Sequence, residues 1–231
     1  MDRPSQTHAL AAYFALMREL PHLFENRGPG SIEILSDPAD IAAAQEAAAQ
    51  ARRARGLDTG DLRAGVLARD PYMIVLRDAV RFPDGSLGLY NRIVEARSIA
   101  VLPLLDGRPV LLRIFRHGLR DWSLEFPGAA AARGGETSEQ AARREVREEI
   151  GAQIDELVPL GRFTPGGSSL TIGADFFAAR IGATGAPDRA DGIAAIEVMS
   201  VADVEMLIRD SAIIDGFTLS IFLRARLLGI V

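Results

Sequence analysis

Cysteine is absent from the chain. Disulfides, thiolate metal sites and cysteine nucleophiles are therefore excluded. Histidine is scarce, and His8, His22 and His117 lack the clustered spacing of a histidine metal site. Metal binding would fall mainly to carboxylates and carbonyls, which favour hard cations such as Mg2+ or Mn2+. No apolar run approaches the ~20 residues that a membrane span needs. The N-terminal "MDRPSQTHAL" has no basic segment followed by a long apolar one, so no signal peptide is expected. A cytoplasmic protein without a membrane partner is the expectation. A basic stripe is lacking too, and the net charge of -5 argues against a nucleic-acid partner. A nucleotide substrate stays admissible, because local arginines and bound cations offset a negative protein.

Apolar residues are plentiful, at 48% of the 231, enough to supply a buried core. Leu10, Tyr13, Phe14, Met17 and Leu20 recur at helical spacing and predict an amphipathic helix over 6–21. That stripe covers either the chain's own core or a partner. Asp37 before Pro38 reads as an N-cap with proline at the first helical position, opening a helix that runs to Arg55. "GLDTGDLRAG" reads as a linker, which divides the chain into a mainly helical extension, residues 1–65, and a second domain, residues 66–231. After the linker, "PYMIVLRDAVRF", "SLGLYNRIV", "SIAVLPLL", "PVLLRIFR" and "WSLEF" are strand-like and punctuated by "PDG" and "DG" turns. "PGAAAARGGE" reads as a loop. "LVPLGRF", "DFFAARI" and "IAAIEVMS" read as strands, and "VADVEMLIRDS" and "TLSIFLRARLL" as closing helices. This order implies α+β architecture, a mixed sheet sandwiched by helices.

The densest chemistry lies in "ETSEQAARREVREEIGA", Glu136 to Ala152. Thr137 with Gln140 fits a capping box that starts a helix at Ser138, and Gly151 fits its stop. Ala142, Val146 and Ile150 form an apolar stripe, while Glu145, Glu148 and Glu149 share another face. Like charges four residues apart destabilise a helix by a few tenths of a kcal/mol. No basic residue is expected on that face to relieve Glu145 and Glu149, so a cation would.

The stretch resembles the Nudix box, Gly-x5-Glu-x7-Arg-Glu-U-x-Glu-Glu-x-Gly-U, with U apolar. Glu136, Arg144, Glu145, Val146, Glu148, Glu149, Gly151 and Ala152 fall at its positions, and Ala130 stands where the pattern has glycine. Gly128, two residues earlier, implies a shifted or lengthened loop. The segment from "VRFPDG" to "LEFPG", "TPGGSS" with Pro165, and "AIEVMSVADVEMLI" resemble the ADP-ribose pyrophosphatase-like branch, so the likeness runs from about residue 70 to the end.

The resemblance implies an α/β/α sandwich and Mg2+-dependent hydrolysis of the pyrophosphate of ADP-ribose or a related nucleoside diphosphate sugar, in a homodimer. It makes Glu145 and Glu149 the main metal ligands, with Glu148 a ligand or the residue orienting metal-bound water. Glu136 and the Ala129 carbonyl support the metal, and Arg144 holds a glutamate in place. Arg116 matches a substrate-contacting arginine, although a surface arginine flanking a strand fits equally. Gly166 and Gly167 let backbone approach substrate or simply make a turn. For the general base it offers Asp191, with Asp188 nearby, or else a turn aspartate. Trp122 reads as core or rim packing and His117 as structural. Leu170 and Ala194 replace acidic residues of some relatives, which keeps open a nucleotide-binding module without turnover.

Overall fold

The computed structural model describes residues 5–130, 135–171, 173–186 and 191–231. The chain divides into two compact units, Met1–Glu95 with Gly166–Thr171, and Ala96–Pro165 with Ile172–Val231.

In the first unit, helix α1 (Gln6–Glu19) starts at Ser5, whose hydroxyl accepts the His8 N–H. Strand β1 (Glu33–Ile34) precedes α2 (Pro38–Ala54), which is capped by Asp37 with Pro38 in the first turn, as the sequence predicts. Strands β2 (Gly65–Arg69), β3 (Met73–Arg81) and β4 (Leu87–Glu95) follow. All four strands form an antiparallel sheet built on β3. Tyr13 and Leu16 of α1 pack on Val66, Ile74, Leu76 and Val94, with Phe14, Met17 and Leu20 at the rim. The predicted stripe thus covers the chain's own core. The expected division near residues 56–65 lies inside this unit, because the 65–95 strands bury their apolar face under α1 and α2. The sequence reading also missed β2, whose start at Gly65 looks like linker. Gly65 has φ +113°, and a Cβ there would lie 2.6 Å from the Ala9 carbonyl oxygen, so α1 and β2 approach this closely only with glycine.

In the second unit, β5 (Ser98–Leu105), β6 (Arg108–Arg116), β7 (Asp121–Glu125) and β8 (Gly128–Ala130) lead into α3 (Ser138–Ile150). Then come β9 (Ile154–Phe163), β10 (Ala174–Ile181), β11 (Ile193–Val198), α4 (Val201–Arg209) and α5 (Gly216–Leu227). Among the described residues the sheet runs β11-β6-β5-β10-β9, with β7 beside β6 and β8 beside β5. Only β5 and β10 are parallel, so the sheet is mixed.

Helices cover both faces of this sheet. Ile99 and Val101 of β5 pack with Ala142, Val146 and Ile150 of α3, while Ala100, Leu102 and Leu104 pack with Val204, Ile221 and Phe222 of α4 and α5. Burial on both sides explains why "SIAVLPLL" is continuously apolar rather than alternating. β5 and β6 pair only at Leu104–Pro109 and Leu105–Arg108 and then diverge. β7 and β8 occupy the resulting fork, which sets the stage for the site. The short strand β8 stands where the sequence predicts a loop: "GAA" has little strand propensity, and pairing with Ser98–Ala100 imposes the strand.

One polar network is buried in the first unit. Asp78, 1% exposed, accepts from the Tyr13 hydroxyl and from Arg92, whose Nε lies 2.5 Å and Nη2 3.0 Å from the carboxylate. Arg92 also donates to the Leu23 carbonyl and lies over the Phe24 ring. Breaking a buried ion pair on one side costs about 3–5 kcal/mol. Asp78→Ala is expected to lower unfolding free energy by about that amount in urea titrations; a loss below about 1 kcal/mol would contradict this account.

Candidate functional site

α3 carries most of the predicted residues, and its local sequence sets it as expected. Thr137 and Gln140 make the reciprocal capping box, and Gly151 ends the helix in the left-handed region at φ +64°. Ala142, Val146 and Ile150 are fully buried on the sheet. This packing turns Glu145 and Glu149 inward, leaving them only 6% and 5% exposed.

Arg144 corrects one expectation. Its Nε lies 3.0 Å from Glu136, its Nη1 donates to Glu145, and the same Nη1 lies 3.0 Å from Glu148. A basic residue therefore does relieve this face, reaching Glu145 from the adjacent position. The bonds to Glu136 first, then to Glu145 and Glu148, raise the Arg144 pKa and keep it charged. Glu149 instead accepts the Gly128 backbone N–H at 3.0 Å. Burial, then the charge of Glu145, push Glu149 up to about 8, against the Gly128 hydrogen bond and Arg116. Asp191, exposed at the turn before β11, adds to the upward shift.

Gly128 fixes this contact. A Cβ on it would lie 2.6 Å from the Ile99 carbonyl oxygen, so a larger residue would push β8 off β5. Three backbone groups of Phe126–Gly128 are anchored to three different elements. The Phe126 N–H donates to Thr218 Oγ1 at 3.1 Å, the Pro127 carbonyl accepts from Val101 at 2.8 Å, and Gly128 reaches Glu149.

Beside this turn lies a cavity of about 160 Å³. Arg116, Glu125, Ala129, Asp215 and Phe217 are among its lining residues. Arg116 Nε lies 3.0 Å from both Glu125 oxygens, and its Nη2 lies 2.6 Å from Oε2, a two-pronged ion pair. Those bonds raise the Arg116 pKa and hold it charged. Asp215 caps α5 by accepting the Thr218 N–H at 2.7 Å, and burial raises its pKa. A larger cavity of about 460 Å³, lined by Ser138, Asp175 and Phe177 among others, includes neither Arg116 nor a box glutamate.

The structure thus gathers Glu136, Arg144, Glu145, Glu148 and Glu149 on and around α3, and brings Arg116 and Ala129 to the adjacent cavity. Gly166 and Gly167 belong to the first unit, where Ser169 and Thr171 bond to Ile93. A Cβ on either glycine would meet nothing within 4 Å, so steric need does not explain them. Trp122 is half-exposed against Phe115, and His117 contacts Arg120. Asp188 lies outside the described residues. Sequence reading missed Glu125, Asp215 and Phe217. Asp215-x-x-Thr218 is an N-cap pattern that marks the helix start, but nothing local ties it to residues 116–128.

The donor set suits a hard divalent cation. Glu145 and Glu149 are buried carboxyl groups one helical turn apart, a pair that a cation would stabilise in its ionised form. Among the described residues no three acidic or histidine side chains converge on one point. Mg2+ does not require such a cage, since it commonly binds through one or two carboxylates and keeps several waters.

Glu149 makes a pH-dependent prediction. Its folded pKa of about 8 exceeds the ordinary 4.5, so the folded protein binds this proton more tightly than the unfolded one. The resulting stabilisation is full below the unfolded pKa and is lost as pH rises through the folded one. In chelator at pH 8, Glu149→Gln is expected to melt above the parent by about 5 °C, with the difference vanishing near pH 4. A variant that melts lower at pH 8 would contradict the shift.

Comparison with known proteins places these features. Residues 94–218, more than half of the chain, match the NUDIX domain family. A solved structure described as the crystal structure of ADP compounds hydrolase superposes with a TM-score of 0.61 at 20% identity, covering 70% of this chain and 88% of that one. That likeness supports the fold. The comparison with curated proteins returned no match. Among the described residues no helix is long and apolar enough to cross a membrane. With its glutamate-bearing helix and its mixed sheet falling inside the matched region, the chain belongs to the NUDIX domain family.

Proposed function

We propose that this protein hydrolyses the pyrophosphate bond of ADP-ribose or a related nucleoside diphosphate sugar, with Mg2+ as cofactor and Mn2+ as a substitute. The observation that carries the reading is the buried Glu145–Glu149 pair beside the Arg116 cavity, within a NUDIX match. The solved structure similar to this chain is described as an ADP compounds hydrolase, which supports that substrate class.

Glu145 and Glu149 would hold the cation, with Glu148, Glu136 and the Ala129 carbonyl in support and Arg144 keeping three glutamates aligned. A divalent cation there supplies charge neutralisation for the phosphate oxygens and lowers the pKa of the attacking water. Arg116, held by Glu125, offers its remaining N–H groups to the diphosphate. A cavity of about 150 Å³ accepts a benzene-sized ligand, so the 160 Å³ cavity suits one ring-sized or phosphate-sized group, not the whole substrate. Asp191 takes a proton from water as its oxygen attacks phosphorus. The bridging P–O bond breaks, giving nucleoside monophosphate and a sugar phosphate. The reading includes a cytoplasmic location and a homodimer. Gly166 and Gly167 would approach substrate through their backbone.

A second reading, a nucleotide-binding module without turnover, draws on Arg144 occupying three of the four glutamates and on the exposure of Asp191. A panel of nucleoside diphosphate sugars with Mg2+ separates the two. Monophosphate release, reduced at least about 100-fold by Glu149→Gln, is expected of the enzyme. Nucleotide binding by calorimetry without release would support the module. Light scattering tests the dimer, and a monomer would contradict it.

A further inference from the structure

The C-terminal helix reaches the candidate site through its first turn. Asp215 and Phe217 line the 160 Å³ cavity. Phe217 is braced edge-on by Phe163 at 5.5 Å and by Phe176 at 6.0 Å between ring centroids. Thr218, between this wall and the core, is 1% exposed and does two things at once. Its backbone N–H donates to Asp215, and its Oγ1 accepts the Phe126 N–H. Phe126 is followed by Pro127, which has no N–H to offer. The Phe126 N–H is therefore the last backbone donor before Gly128, and Thr218 receives it.

We propose that Thr218 is a positioning residue: by holding Phe126 it sets both Glu125, which aims Arg116 into the cavity, and Gly128, which holds Glu149. The chain of contacts is continuous and short. Glu125 and Gly128 flank the anchored Phe126–Pro127 pair, so a shift at Phe126 moves an ion-pair partner on one side and a hydrogen-bond donor on the other. Valine is nearly isosteric with threonine but cannot accept. Thr218→Val leaves a buried N–H without a partner, which the turn relieves by moving. Thr218→Ser keeps the acceptor.

The activity arm of the test rests on the hydrolase reading; a Mn2+ arm does not. Mn2+ binding to the full chain at pH 8 is followed by electron paramagnetic resonance. Thr218→Val is expected to weaken Mn2+ at least about fivefold, the effect of roughly 1 kcal/mol, and Thr218→Ser to stay within about twofold of the parent. With any panel compound that turns over, kcat falls about tenfold in the valine variant and recovers in the serine variant, a pattern expected when a buried donor loses its acceptor. Valine and serine variants that match the parent in Mn2+ affinity and kcat while differing only in melting temperature would overturn the proposal. If the panel shows no turnover, the hydrolase reading fails and the Mn2+ result still decides this one. If the valine variant does not fold, hydrogen exchange in the parent decides. The Phe126 amide is expected to exchange as slowly as the β5 amides, and fast exchange there overturns the proposal.

Discussion

Burying Glu145 and Glu149 one turn apart is the constraint around which the second unit is arranged. Two carboxylates with 6% and 5% exposure repel each other where water screens little. The fold answers each differently. Glu145 is given Arg144, a cation already committed to Glu136 and Glu148. Glu149 accepts the Gly128 N–H, which together with the Arg116 charge does not offset its burial and the charge of Glu145, and its pKa rises to about 8. The asymmetry leaves one carboxylate that holds a proton near neutrality and would exchange it for a cation. All 26 basic residues of the chain are arginines, so each nearby cation is a planar, permanently charged fork suited to carboxylates and phosphates.

The divergence of β5 from β6 gives that pair its surroundings. β7 and β8 fill the fork, and the turn between them is tied to three elements through Thr218, Val101 and Glu149. A turn so anchored holds Glu125 and Gly128 at fixed distances from α3. The cavity beside it then combines the Arg116 guanidinium, the Glu125 and Asp215 carboxylates and two phenylalanines, Phe126 and Phe217. Positioning of this kind lets a site with few side chains act on a small anionic group.

Much of this was legible in the chain because the signals are local. The capping box at Thr137, the stop at Gly151 and the 3.6-residue apolar stripe specify α3 without reference to the rest of the protein. The Asp37–Pro38 start of α2 is of the same kind. What stayed hidden depends on pairing between distant segments. Strand β8 exists because Ser98–Ala100 offers it a partner, and Gly65 opens a strand because α1 presses against it. Arg144 illustrates a third limit. Helical spacing pairs Arg144 with Glu148 four residues on, but the long guanidinium side chain also reaches the adjacent Glu145, which helical angle places on another face, and Glu136 ahead of the helix. Glu125 and Asp215 are ordinary carboxylates in sequence, and only the packing of β7 and of the start of α5 brings them to Arg116.

The claim at the centre is that the buried Glu149 exchanges a proton for a divalent cation. Calorimetric titration of Mg2+ at pH 7, in two buffers of different ionisation enthalpy, reads this directly. Binding is expected to release close to one proton at pH 7 and almost none at pH 9.5, since metal ligands must shed their protons. Cation binding with no proton release at pH 7, or no cation binding at either pH, would contradict the account.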